Sequence, residues 1–337
     1  MKYVITLDTG TTNTRTILWN ENREMIARRK AEVGVRDTAI DGNNEKLKKA
    51  VAECISGLLT DAGIQYEDVK DIIASGMITS NVGIVEIPHC IAPVGIDDLA
   101  KAVREVFLPE ICPLPIHFIP GVKNNVKDVN FDNVELMDIM RGEEVESCAI
   151  IEKLPEGQAA MLVLPGSHMK FISVDREHKI TGCLTSISGE LLSCITNNTI
   201  IADAVDHRFV DEDSYQPEIM LLGYENAKNQ GLGRACFSGR ILNQFVTKDS
   251  AKIANYILGA ALQGDVEAVL HSHAINVSRD MHVIVSGKNP LRQAMVDIFK
   301  YEKCFARVDT FITAKDIPLS AIGSYIIADR KCALTET

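Results

Sequence analysis

The sequence predicts a two-domain α/β protein, and three observations carry that prediction. Its 337 residues exceed what one compact core ordinarily organises. A strand, turn, strand, turn, strand pattern opens the chain and returns near residue 159. Both occurrences lead into helical sequence with little residue identity between them, so the repeat is one of architecture. The boundary is expected near residue 145, giving domains 1–145 and 146–337 with a cleft between them.

The elements follow in order. KYVITL (2–7), TRTILW (14–19) and residues 24–33 read as an antiparallel meander joined by tight polar turns. Over 44–62, Leu47, Val51, Ile55, Leu58 and Leu59 share one helical face, and Gly63 supplies the stop. DIIASGM is a buried-type strand. Residues 80–125 are rich in Pro and Gly, with one helix expected over 97–107, and predict loops folded over a site. AAMLVLPGSHMKFISVDREHKITGCLTS repeats the meander over 159–186, and SGELLSCITNNTIIADAV continues as a helix. The chain then reads as mostly helical to about 277, followed by the strand MHVIVSG, a helix from Leu291, the short strand CFARVD and a last helix over 318–330.

Composition excludes several function classes. Hydrophobic residues at 46% and charged residues at 24% suit a globular chain, and no run approaches the ~20 apolar residues of a membrane span. MKYVITLD enters a strand without a basic segment and apolar core, so export is not expected and a cytoplasmic location is. Nine cysteines stand singly with no C-x-x-C pair, which suits reduced thiols. A net charge of −11 without a Lys/Arg run argues against nucleic-acid and anionic-membrane partners. A polyanionic ligand would therefore need backbone amides and a few placed cations.

The two first turns of the meanders are suited to that task. Gly10, Thr11, Thr12 and Asn13 leave backbone N–H groups uncrowded and add hydroxyls, which together can receive phosphate oxygens. Asp8, at the end of the first strand, suits a magnesium ion held through its water shell. A plain β-turn whose threonines satisfy local backbone groups explains the same residues. Gly166 and Ser167 repeat the open backbone and hydroxyl, with His168 and Lys170 adding donors; a surface turn with a solvated lysine is the alternative. One such turn per domain can clamp a triphosphate. Neither G-x-x-x-x-G-K-[ST] nor a strand-linked G-x-G-x-x-G is present.

DTGTTNTR, SGMITSNVG, PGV, DIMRGEEVES, LPGSHMKF and ISGEL, in this order, resemble the 2-dehydro-3-deoxygalactonokinase family of sugar-acid kinases. FSGR, LGAALQGD and VIVSGKN extend the resemblance more sparsely beyond residue 192. It implies a two-domain actin-like ATPase fold built from ribonuclease H-like domains, with ATP in the cleft. It also implies Mg2+ and transfer of the γ-phosphoryl group to the 6-hydroxyl of 2-dehydro-3-deoxy-D-galactonate. The implied partners are small molecules, and a homodimer is compatible. A kinase of another sugar acid or sugar, or a non-catalytic nucleotide-binding regulator, stays open.

Site residues follow from the same resemblance. In MRGEEVES a carboxylate can orient the acceptor hydroxyl and take its proton. Glu143, directly after Gly142 at a helix start, is the candidate. Glu144 and Asp138 are rivals, because adjacent helix positions point about 100° apart. An acidic helix N-terminus favoured by the macrodipole is the plain alternative. Ser80, Asn81 and Glu86 suit the acceptor's oxygens, and Arg141, favoured over Arg15, suits its carboxylate, while Arg15 joins the first turn as a candidate for the nucleotide's phosphates. Ser188 and Gly189 begin a helix whose amides can face the nucleotide, and Gly287 with Lys288 marks the adenosine site. Helix capping and an ordinary strand-to-helix turn explain those glycines equally well.

Overall fold

The computed structural model describes residues 2–313 and 317–335. In the first lobe, β1 (Tyr3–Thr9), β2 (Thr14–Trp19) and β3 (Met25–Ala31) form the expected antiparallel meander. After a short helix α1 (Val35–Asp41), helix α2 (Glu45–Ala62) buries Leu47, Val51, Ile55, Leu58 and Leu59, and Gly63 ends it with φ of 67°. Strand β4 (Val69–Gly76) then pairs parallel to β1.

The proline- and glycine-rich middle holds more pairing than its composition suggests. It contains β5 (Cys90–Ile91), α3 (Ile96–Ala102), β6 (Arg104–Val106), β7 (Ile116–Phe118), β8 (Val122–Lys123) and β9 (Ile139–Met140). The helix expected over 97–107 thus stops at Ala102. Residues 104–106 turn instead onto the open edge of β7, whose backbone supplies their hydrogen bonds. The first sheet runs β3-β2-β1-β4-β7-β6, while β5, β8 and β9 form a separate small sheet.

The second lobe repeats the plan. Strands β10 (Ala160–Leu164), β11 (Met169–Val174) and β12 (Ile180–Ser186) form its meander. Helices α5 (Ser188–Asn198), α6 (Pro217–Gln230), α7 (Leu232–Phe245) and α8 (Ser250–His271) follow where the first lobe has α1 and α2. Strands β13 (His282–Val285) and β14 (Arg307–Thr310), separated by α9 (Leu291–Glu302), complete a sheet ordered β12-β11-β10-β13-β14. Element for element this is the order β3-β2-β1-β4-β7 of the first lobe. The expected architectural repeat is therefore present as matching sheet topology.

A pair of helices joins the lobes. Helix α4 (Glu143–Ile151) follows the first sheet in sequence, yet Val145, Cys148, Ile150 and Ile151 pack in one cluster with Ala160, Leu162 and Ile172 of the second. The expected boundary at residue 145 falls within this helix. Helix α10 (Leu319–Thr335) ends the second lobe but lies on the first sheet. There the Tyr325 and Trp19 rings stand 5.6 Å apart, Ser324 Oγ meets Ser75 Oγ at 3.0 Å, and Lys331 pairs with Asp71 at 2.8 Å. The two helices cross where Gly323 leaves no room: a Cβ there would sit 1.6 Å from the carbonyl oxygen of Val145.

Gly323→Ala forces backbone apart at the helix crossing between the lobes, and should destabilise the protein by roughly 1–3 kcal/mol or more in chemical denaturation. Gly264→Ala, in mid-α8 with nothing within 4 Å of the new Cβ, is the control. It should stabilise by about 0.5–1 kcal/mol. Equal effects of the two would contradict a crossing held by close backbone contact.

Candidate active site

The first turn is closed by Gly10 N–H donating to Asn13 O at 2.9 Å. Its carbonyls are held from one side: Val35 and Arg36 of α1 donate to Gly10 O and Thr11 O at 3.2 and 2.9 Å. Gly34 makes this possible, since a Cβ there would lie 2.5 Å from the Thr11 carbonyl. The threonines divide their work. Thr9 and Thr14 are buried with hydroxyls 3.3 Å apart, and Thr14 Oγ1 donates to Val33 O, whereas Thr11 and Thr12 are exposed at the tip. The amides of Thr11, Thr12 and Asn13 have no protein acceptor among the described residues, leaving a row of donors at the end of β1.

The second turn gathers several of the expected nucleotide residues. Gly189, at the start of α5, presses on it so closely that a Cβ would lie 2.2 Å from Gly166 O, and Glu190 N–H donates to Ser167 O at 3.0 Å. Gly287, at φ of 98°, approaches from the other side, with its Cβ position 3.1 Å from Pro165 O. Lys288 stands beside it, exposed. Ser167 and His168 are exposed at the tip, and His168 Nε2 contacts Glu190 Oε1 at 2.9 Å.

Lys170 is placed differently from the solvated or ligand-facing lysine the sequence suggests. Its side chain is buried and donates to Ile139 O at 2.8 Å and to Thr185 Oγ1, tying β9 to the second lobe. Asp138 belongs to the same tie: its oxygens accept from the Thr185 amide and from Thr185 Oγ1 at 2.8 Å.

The carboxylates of α4 separate by direction. Gly142, at φ of 117°, turns the chain into the helix beside Gly76. Glu144 is fully buried and folds back on the Gly142 amide at 3.0 and 2.8 Å; burial, then the Glu143 charge, push its carboxyl up to about 8. Glu143 remains partly exposed, with Oε2 accepting from the Arg141 amide at 3.1 Å. Asp8, whose side chain is 19% exposed, is met by Arg15 Nη1 at 3.4 Å and Ser320 Oγ at 3.2 Å. Burial raises the Asp8 carboxyl, and Arg15 and Ser320 offset part of that.

Sequence reasoning missed three contributors. Glu146 is pushed up to about 8, first by burial and then by Glu143 and Asp8, so it shares their corner of the cleft with Arg15. Its position three after Glu143 was the available signal, since i and i+3 share a helix face. Asp265 of α8 is buried and accepts from the hydroxyls of Ser186 and Ser188, the latter at 2.6 Å; burial pushes its carboxyl up to about 6. Ser320 arrives from the far end of the chain, and no local pattern announces it. Among the described residues no three His, Cys, Asp or Glu side chains converge as a metal cage. One or two carboxylates plus phosphate oxygens are nevertheless what Mg2+ usually takes, and Asp8 fits that donor set.

Of the residues expected to meet the acceptor, Ser80 Oγ donates to Met77 O at 2.7 Å, while Asn81 and Glu86 are exposed on the 80–89 loop. Arg141 is committed to this loop. Nη1 donates to Thr79 O at 2.6 Å and Nη2 to Ile87 O at 3.0 Å, with the His89 ring nitrogens 3.2 and 3.3 Å away.

A family model described as 2-keto-3-deoxy-galactonokinase matches residues 8–315. No curated protein matches the chain. Among solved structures, a Sinorhizobium meliloti protein assigned as a 2-dehydro-3-deoxygalactonokinase superposes with a TM-score of 0.74 over 99% of both chains at 17% identity. The Clostridium difficile activator of 2-hydroxyisocaproyl-CoA dehydratase, with bound ADPNP, gives 0.53 over 99% of this chain and 98% of its own at 14% identity. Component A of the Acidaminococcus fermentans (R)-2-hydroxyglutaryl-CoA dehydratase gives 0.50 at 12% identity, over 98% and 99%. The fold is the two-domain actin- and hexokinase-like ATPase fold. With a match that begins at the Asp8 carboxylate and runs through both lobes, the chain belongs to the 2-keto-3-deoxy-galactonokinase family.

Proposed function

We propose that Glu143 is the base with which this ATP-dependent carbohydrate kinase phosphorylates the 6-hydroxyl of 2-dehydro-3-deoxy-D-galactonate. The observation that carries the assignment is the contrast among the three rival carboxylates. Glu144 is folded onto its own helix start and Asp138 is spent on Thr185, while Glu143 keeps an open edge beside Asp8.

Phosphoryl transfer needs little covalent help, so positioning and charge stabilisation dominate. The free amides of Thr11, Thr12 and Asn13 suit one side of the phosphate chain. Gly166, Ser167 and the N-terminal amides of α5 at Ser188 and Gly189 suit the other, with Gly287 and Lys288 next to the adenosine. Arg15, beside Asp8, adds a cation at the reacting end. Asp8 would hold Mg2+ brought with the nucleotide, and the ion would supply charge neutralisation along the phosphate chain. Glu143 orients the 6-hydroxyl and accepts its proton as the oxygen attacks. Ser80, Asn81 and Glu86 would contact the acceptor's other oxygens.

The reading carries domains 1–145 and 146–337 for acceptor and adenosine, a cytoplasmic location, small-molecule partners and a compatible homodimer. No described helix is long and apolar enough to cross a membrane.

Two experiments test the site. Glu143→Gln should lower kcat by roughly 10²–10⁴ in an ADP-release assay with galactonate- and gluconate-type acids side by side, while calorimetric ATP affinity stays near wild type. Near-normal turnover would remove Glu143 as the base. The second concerns Glu146, which in the folded protein holds its proton from the usual carboxylate range up to about 8. A raised folded value means that stability falls as pH rises through that interval. Glu146→Gln should therefore raise Tm by several degrees at pH 9 and change it little at pH 5. A pH-independent shift would show that Glu146 is not crowded by Asp8 and Glu143.

A further inference from the structure

The small sheet of β5, β8 and β9 has two unlike faces. On one, Val122 and Met140 are buried between the lobes, with Cys90 packed against the same cluster. Alternation sends Ile91, Lys123 and Ile139, mutually in register, to the other. Ile91 and Ile139 are 53% and 52% exposed there, so this face is open. His89 joins it, its ring lying over Gly121, where a Cβ would come within 2.7 Å of the imidazole Cδ2. Arg141, two residues beyond Ile139, reaches the same ring.

Three nitrogen-bearing side chains, Lys123, His89 and Arg141, thus share one open face of a chain whose net charge is −11. They are not equally available. The Arg141 guanidinium is engaged by Thr79, Ile87 and His89, and holds the acceptor loop. Glu86 and Glu144 lie within its field, but Glu144 is turned onto the Gly142 amide and Glu86 points from an exposed loop. Lys123 is half-buried, and among the described residues no carboxylate or other acceptor takes its ammonium. Burial, then Arg141 and Lys123, push the His89 ring down to about 4, so the imidazole beside these two basic side chains is neutral. Such a place favours an anion.

We infer that Lys123, with His89 beside it, binds the carboxylate of the sugar-acid acceptor, while Arg141 serves as the brace of the loop behind them. The inference deepens the kinase reading and rests on it. Its geometry is consistent with the reacting end: the Arg141 amide donates to Glu143 Oε2, so the cationic face leads in two residues to the proposed base. An elongated acid can then lie with its carboxylate on Lys123 and its far hydroxyl at Glu143. A neutral sugar would leave Lys123 without a partner, which gives the site its preference for acids.

The test compares wild type, Lys123→Met and Lys123→Arg in the ADP-release assay. Each receives the sugar acid that wild type uses best, and the analogue of that acid whose carboxylate is reduced to an alcohol. Phosphorylation of no sugar acid by wild type would overturn the kinase reading itself, before Lys123 is tested. Given wild-type turnover, Lys123→Met should raise KM for the acid roughly 10- to 100-fold, as expected for a lost hydrogen bond to a charged group. Values of kcat and of KM for ATP should hold, Lys123→Arg should recover part of the loss, and KM for the alcohol should be the same in all three proteins. An unchanged KM for the acid in Lys123→Met, or an equal rise for acid and alcohol, overturns the assignment of Lys123.

Discussion

The site depends on the crossing of α4 and α10 at Val145 and Gly323. Each helix leaves its own lobe and packs on the other, and a missing side chain lets their backbones touch. That contact fixes where the first turn of α4 lies over the end of β1, and hence that Glu143 and Glu146 share a corner with Asp8. It also carries Ser320, one turn before Gly323, to the Asp8 carboxylate. Beyond the crossing, Arg23 reaches both Glu152 and Asp329, at 2.7 and 2.9 Å, and ties the far ends of the two helices to the first meander. Fold and chemistry are therefore one constraint here: any shift at Gly323 is a shift of the carboxylates.

Crowding acids in this way is unfavourable for the free protein. Burial is the leading cause of the raised values at Asp8, Glu144 and Glu146, and like charge is the second cause for Glu144 and Glu146. A carboxylate raised mainly by neighbours can be relieved by removing one neighbour, whereas one raised mainly by burial also needs a compensating cation or water. Arg15 supplies one positive charge and is itself half-exposed. A nucleotide arriving with its metal would bring further cationic charge to the acids and phosphate oxygens to the amides of the turns, so protein and ligand each complete the other's charge balance. Perturbed carboxylates of this kind are concentrated where proteins do chemistry.

Much of the fold was legible because it is written in short-range patterns. The meanders alternate with period two, α2 shows its buried face at helical spacing, and Gly63 marks its end. The turns at Gly10 and Gly166 are legible for the same reason. What escaped depends on distance in sequence. Residues 104–106 form a strand only because β7 offers an edge, and the roles of Ser320 and Asp265 depend on partners 312 and 77 residues away, Asp8 and Ser188. The ambiguity between Glu143 and Glu144 is of another kind. A helix position gives a direction only once its packing is known, and the packing of α4 is on the other lobe.

Arg141 shows how a side chain suited to one task is claimed by another. A guanidinium fits a carboxylate in a bidentate fork, which makes arginine the natural candidate for an acid's anchor. The loop beneath it has its own need. The Thr79 carbonyl already accepts the Ile87 N–H at 3.0 Å, and the lone pairs left on Thr79 O and Ile87 O are met by one donor group that spans both. A planar group with several N–H donors meets that need, and a lysine cannot. With the arginine spent on holding the loop in shape, the cation left for a ligand is a compact ammonium on a neighbouring strand. On the proposed assignment, selectivity comes from charge and from the fixed position of Lys123 on a paired strand, and the shape of the acceptor site comes from the loop that Arg141 holds.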